Sequence, residues 1–157
     1  DGSIGTLYPR NMYEYSLPAL VIMLTRTCGV EALDLFIVLL RDAVIADGKL
    51  GENYDTDHSH ITLGSIASDE YAPHDTYSAL VSAVRSSAEI LVQRDPSSMR
   101  AIVKRLVDAS TNIFKRIAIY VLAKDPAAAP DLAHAWLTDV NLIVVVVVKT
   151  PNKAYVK

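Results

Sequence analysis

The residues best suited to chemistry lie in one short polar run, Asp55-Thr56-Asp57-His58-Ser59-His60, with His74-Asp75 further on. Imidazoles beside carboxylates suit zinc or a similar metal. A metal-dependent enzyme would draw its ligands from Asp55, Asp57, His58 and His60. Three points weigh against it. His-x-His puts both rings on one side only when the backbone is extended. A third convergent ligand is not evident, and the single cysteine, Cys28, cannot supply a multi-cysteine zinc site. A solvated loop is therefore preferred, and no cofactor is expected.

A second set is basic. Arg100, Lys104, Arg105, Lys115 and Arg116, flanked by Arg94 and Lys124, offer candidate binding residues for phosphates or an acidic partner. Few aromatics interleave with them, and Asp95, Asp108 and Asp125 dilute the charge. The preferred reading is a solvated helix face partly paired with the acidic half of the chain, with no nucleic-acid partner. Gly2-Ser3-Ile4-Gly5 has no Lys-Ser/Thr after it and is no P-loop. Gly-x-Ser-x-Gly and His-Glu-x-x-His are absent. Cys28 and Trp136 read as core residues.

Composition narrows the class. The 157 residues are 51% hydrophobic and 21% charged, enough for one domain with a sizeable core. The net charge of −3 gives no general reason for nucleic-acid binding. Its distribution is uneven. Residues 1–75 carry four bases and twelve acids, a net of −8; residues 76–157 carry eleven and six, a net of +5. No signal-peptide pattern opens the chain. It does not begin with Met, so a processed form or a piece of a longer protein is expected. The longest apolar runs, around Leu35–Leu40 and Leu142–Val148, are too short to span a membrane. Together with the lone cysteine, this leads to an expected cytoplasmic location.

These residues need elements to position them. Residues 1–18, rich in Gly, Pro and Tyr, read as an irregular arm. Pro18 suits the first turn of a helix to about Thr27, with Gly29 as its break. Val30 to Ala46 is the strongest early helix. Leu33, Phe36, Ile37, Leu40 and Val44 make one apolar face, and Leu35, Val38 and Leu39 a second, as in a helix central to a bundle. Residues 48–74 form a long polar loop, with room for a short helix near 61–67. A helix follows from about Asp75 to Gln93, burying Leu80, Val81, Val84, Ala88, Leu91 and Val92. Asp95-Pro96 starts the next, with Met99, Ile102, Val103, Leu106 and Val107 as its stripe. Ser110 or Thr111 caps a third, carrying Ile113, Phe114, Ile117, Ala118, Val121 and Leu122. A short fourth spans about Pro130 to Thr138. Turns this short make consecutive helices antiparallel neighbours. The Val-rich tail, 140–157, is β-prone and has no evident second strand. Either it pairs with a partner or another copy, or it is not the natural continuation.

The chain also echoes itself thirty residues apart. Leu91-Val92-Gln93-Arg94-Asp95-Pro96 answers Val121-Leu122-Ala123-Lys124-Asp125-Pro126. Behind these, Ile102 aligns with Leu132, Leu106 with Trp136 and Val107 with Leu137. A helix that ends, turns at Asp-Pro and restarts, twice at one period, is the mark of stacked helical hairpins. Over residues 75–139 the pattern resembles HEAT-type helical repeats, which occur in sensor regions of large bacterial multidomain NTPases. The resemblance implies a fold class and a binding role, with no catalytic residues to carry over. The expected fold is all-α: antiparallel hairpins forming a bundle or short α-solenoid in one domain, 1–139. The expected function is a non-catalytic protein-interaction or scaffold module. Its partner would be a protein or the remainder of a larger chain, or a second copy joined through residues 142–148, with no membrane.

Overall fold

The computed structural model describes residues 10–50, 57, 59, 66 and 76–139, with the backbone alone for 10–15. Asp55, His58 and His60, most of the 48–74 loop and the tail 140–157 lie outside the described residues. Within them the fold is all-α. Six helices run α1 (Arg10–Cys28), α2 (Val30–Ala46), α3 (Thr76–Arg94), α4 (Met99–Asp108), α5 (Asn112–Lys124) and α6 (Pro130–Leu137). Short 3₁₀ turns, Pro96–Ser98 and Pro126–Ala128, precede α4 and α6. Among the described residues no strand forms; Leu50 and Asp57 make an isolated antiparallel bridge.

The helix ends follow local chemistry. Gly29 takes φ 66°, a left-handed conformation open to glycine at little cost, and its N–H bonds Thr25 O at 2.9 Å. Gly48 does the same after α2, at φ 62°. Asp95 Oδ1 accepts from Ser97 N at 3.0 Å and from Ser97 Oγ at 2.6 Å, fixing the turn ahead of α4. One expected boundary moves. Helix α1 begins at Arg10, eight residues before Pro18, so residues 10–18 are helix where an irregular arm was expected. Pro18 sits inside it. Proline there removes one ladder bond, and the packing of α1 along α3 offsets that loss.

Helix α3 is the hub. Both α1 and α2 pack along it on the N-terminal side of the chain, and α5 meets it as well. Helix α4 packs on α5, and α6 on α5. The core runs continuously through these contacts. Leu33, Phe36 and Leu40 of α2, Met99, Ile102 and Leu106 of α4, and Ile113, Phe114, Ile117 and Leu122 of α5 are fully enclosed. A buried hydroxyl pair, Thr25 Oγ1 to Ser87 Oγ at 2.8 Å, satisfies two polar groups within the core between α1 and α3.

The arrangement alters three expectations. Leu35, Val38 and Leu39 are exposed; among the described residues α2 packs on α3 and α1 through its other side. Cys28 is exposed at the last residue of α1. Trp136 is half-buried on α6.

Candidate interaction surfaces

The start of α5 explains what Asp57 does. Four backbone N–H groups at a helix N-terminus lack intrahelical partners. Those of Asn112, Ile113 and Phe114 are accounted for, and Lys115 N makes the first regular helical bond. Asn112 N donates to Asp57 Oδ2, and Ile113 N donates to Ser59 Oγ at 3.1 Å. Phe114 N and Lys115 N both donate to Thr111 O, at 3.2 and 3.3 Å. Asn112 Nδ2 adds a bond to Asp57 O at 3.3 Å. The side chain of Thr111 makes no cap bond, and Ser110 Oγ turns back to Asp108 O at 3.0 Å. So the side-chain cap comes from 54 and 55 residues upstream, not from Ser110 or Thr111. Asp57 Oδ1 meanwhile accepts from Ser59 N at 2.9 Å. Both carboxylate oxygens of this candidate metal ligand are thus engaged by backbone N–H groups. Tyr77 completes the clamp by donating its hydroxyl to Ser59 O. Among the described residues no group of three or more His, Cys, Asp and Glu side chains is placed to hold a metal.

The basic set divides. Arg100 pairs with Asp131 of α6, and Lys104 with Asp108 one turn along α4 at 2.6 Å. Arg105 Nη1 bridges both oxygens of Asp34 on α2, at 2.9 and 2.7 Å. Lys115 is half-buried and Arg116 buried. Burial lowers the Arg116 guanidinium from its ordinary value, and the nearby Tyr77 works in the opposite sense. Arg100, Lys104 and Arg105 are therefore charge-compensated, and Arg116 is withdrawn into the fold. Outside this set, Lys124 hydrogen-bonds Tyr120, which raises its pKa.

The surface that stands out is apolar. Leu20, Ile22 and Met23 of α1 and Leu35, Val38, Leu39 and Ile45 of α2 are 41% to 57% exposed. Single exposed leucines are ordinary; seven large apolar side chains on two adjoining helices are not. Summed over both helices they expose apolar area on the order of 600 Å²; Leu20 and Met23 share one side of α1, and Ile22 lies round from Leu20. On α2 the seam runs Glu31, Leu35, Val38, Asp42, Ile45. This alternation of four and three residues is the spacing with which one helix packs along another.

The thirty-residue echo recurs in three dimensions. Helix, Asp-Pro, 3₁₀ turn and helix follow one another from α3 to α4 and again from α5 to α6. Burial agrees at every pair from 81/111 to 109/139 except 85/115, 86/116, 95/125, 102/132 and 106/136. Two exceptions are instructive. Ile102 and Leu106 are buried, and their counterparts Leu132 and Trp136 are only half-buried.

Sequence reasoning missed the long-range cap at Asp57 and Ser59, for which residue type was the only signal. It also passed over Arg85, buried on α3 with Nη1 donating to Ile66 O at 2.6 Å. The apolar α1–α2 face was visible as the second stripe on α2 but was assigned to the interior. Comparison with protein-family models, with curated proteins and with solved structures finds no match to this chain.

Proposed function

We propose that this chain is a non-catalytic protein-interaction module built on stacked antiparallel helical hairpins of HEAT-like type, and that the α1–α2 face is its contact surface. The observation that carries this reading is the exposure of Leu20, Met23, Leu35, Val38, Leu39 and Ile45 on adjoining helices. Helices stacked by a recurring unit bury a continuous core and leave open faces at their ends. The thirty-residue recurrence of elements and burial supports such stacking. The open face is then a docking surface for a helical segment of another protein or of a larger chain. The charge compensation of Arg100, Lys104 and Arg105 favours it over the basic set as the site of binding.

Differential capture tests the reading. Wild-type chain and a Leu35→Glu, Val38→Glu variant are immobilised in parallel, and bound proteins are quantified. Both positions are exposed, so the variant is expected to fold and to lose specifically bound partners by tenfold or more. Equal binding profiles for two folded chains would remove the α1–α2 face as the contact surface.

A further inference from the structure

We infer that Thr111 is a reserve cap for α5. When Ser59 withdraws from the helix, the Thr111 hydroxyl takes the N–H that Ser59 releases, so Asp57 and Ser59 can let go while α5 stays closed. The inference is independent of which surface the protein uses for binding. Three observations lead to it.

The first is an orphaned hydroxyl. Thr111 is 6% exposed, and its Oγ1 has no hydrogen-bond partner. Buried hydroxyls in folded proteins are nearly always paired, and one left alone costs stability. Thr111 is also the N-cap residue of α5. At that position a threonine hydroxyl ordinarily accepts from the second or third N–H of the helix. Here both are held by other oxygens. Ile113 N donates to Ser59 Oγ at 3.1 Å, and Phe114 N to Thr111 O at 3.2 Å. Two capping oxygens thus compete for Ile113 N, and the one distant in sequence holds it.

The second is that Thr111 is set for capping without help from Asp57 or Ser59. Its backbone lies at φ −101° and ψ 157°, the extended conformation that an N-cap takes. The turn between α4 and α5 fixes it there. Ser110 adopts a left-handed φ of 69°, its N–H bonds Val107 O at 2.9 Å, and its Oγ donates to Asp108 O at 3.0 Å. Thr111 O already accepts from Lys115 N at 3.3 Å. Rotation about χ1 moves the hydroxyl between staggered positions, of which capping uses one.

The third is the nature of the contacts that would be given up. Asp57 and Ser59 meet α3 and α5 through hydrogen bonds: Asn112 N to Asp57, Ile113 N to Ser59 Oγ, and the Tyr77 hydroxyl to Ser59 O. Such bonds exchange for bonds to water at modest net cost, provided no donor is left buried and alone. Asn112 is half-buried, so its N–H can turn to water. Ile113 is fully buried and needs an acceptor from the protein. That is the N–H within reach of the second residue of type Ser or Thr.

Urea denaturation and amide hydrogen exchange of four chains test this: wild type, Thr111→Val, Ser59→Ala and the double variant. Thr111→Val keeps the side-chain shape and removes the orphan, so its midpoint is expected to equal or exceed the wild-type one. Ser59→Ala is expected to keep the Ile113 amide protected. The double variant is expected to lose about fivefold in folding constant beyond the two single changes combined, the size of a lost cap. Ser59→Ala with Thr111→Ser, which restores a hydroxyl, is expected to recover that loss. In the wild type the Ile113 N–H is expected to be protected at least fivefold more than the Ser59 N–H, because local opening frees the second and not the first. In Thr111→Val that gap is expected to close. A double variant that fails to fold where both single variants fold shows the same coupling, provided the Thr111→Ser chain folds. Additive losses, a Ser59→Ala chain that unfolds, a Thr111→Val loss as large with Ser59 present as without it, or equal protection of Ile113 and Ser59 in the wild type overturns the inference.

Discussion

Asp57 shows how one side chain can hold a distant helix. Its carboxylate meets the first N–H of α5, where the helix dipole favours negative charge. Ser59 meets the second N–H. Asp57→Ala is expected to lower stability by about 1 to 2 kcal/mol, the range for losing a capping side chain. Asp57→Asn, which keeps an acceptor oxygen, is expected to lose less. Urea denaturation of the three chains checks the order, and equal midpoints would show that the cap contributes nothing. A second residue-scale prediction concerns pH. The hydrogen bond from Arg100 holds the Asp131 carboxyl below its ordinary value. A carboxylate depressed in the folded state stabilises above its unfolded pKa, and that contribution is lost as pH falls through the folded value. Both side chains are well exposed, so solvent screening keeps the effect small. Carboxyl NMR titration is expected to find Asp131 low in the wild type and back in the ordinary range in Arg100→Met. An identical titration in both chains would show that the pair does not form in solution.

At the scale of elements, the apolar stripes carry the fold. Leu106 is enclosed between α4 and its neighbours, and Leu106→Ala is expected to cost about 2 to 5 kcal/mol. Leu132→Ala, at a half-buried position of α6, is expected to cost less than half as much. Thermal denaturation of the pair checks this, and equal losses would mean that α6 is as deeply packed as α4. The stripes of α3, α4 and α5 were legible because period and burial coincide there, except at Leu80 and Val107, expected in the stripes and only half-buried. Met99, Ile102, Val103 and Leu106 all turn inward, as do Ile113, Phe114, Ile117, Ala118, Val121 and Leu122. Two other features were not legible, each for a physical reason. Pro18 signals a helix start in local terms, yet α1 runs from Arg10 with Pro18 inside it, and it packs along α3. Two apolar stripes on α2 are compatible with a buried helix or an open-faced one, and only the neighbours decide. The cap of α5 was illegible for a similar reason. Asp57 and Ser59 are capping residue types, but nothing in their spacing points to Asn112 and Ile113.

At the scale of the whole molecule, the chain has a compensated side and an uncompensated one. Ion pairs tie the basic helix α4 to α2 and α6 through Arg105–Asp34 and Arg100–Asp131. The apolar seam of α2 and the outer side chains of α1 have no such closure among the described residues. Water against those side chains costs free energy roughly in proportion to area, and a docked helix recovers it. The central claim is that this face is where the protein binds. Hydroxyl-radical footprinting of the captured complex against the isolated chain tests it most directly. The account predicts that Leu20, Met23, Leu35, Val38 and Leu39 lose most of their reactivity on binding, while Arg100 and Lys104 keep theirs. Protection confined to Arg100, Lys104 and their neighbours on α4, with the α1–α2 side chains still reactive, would contradict it.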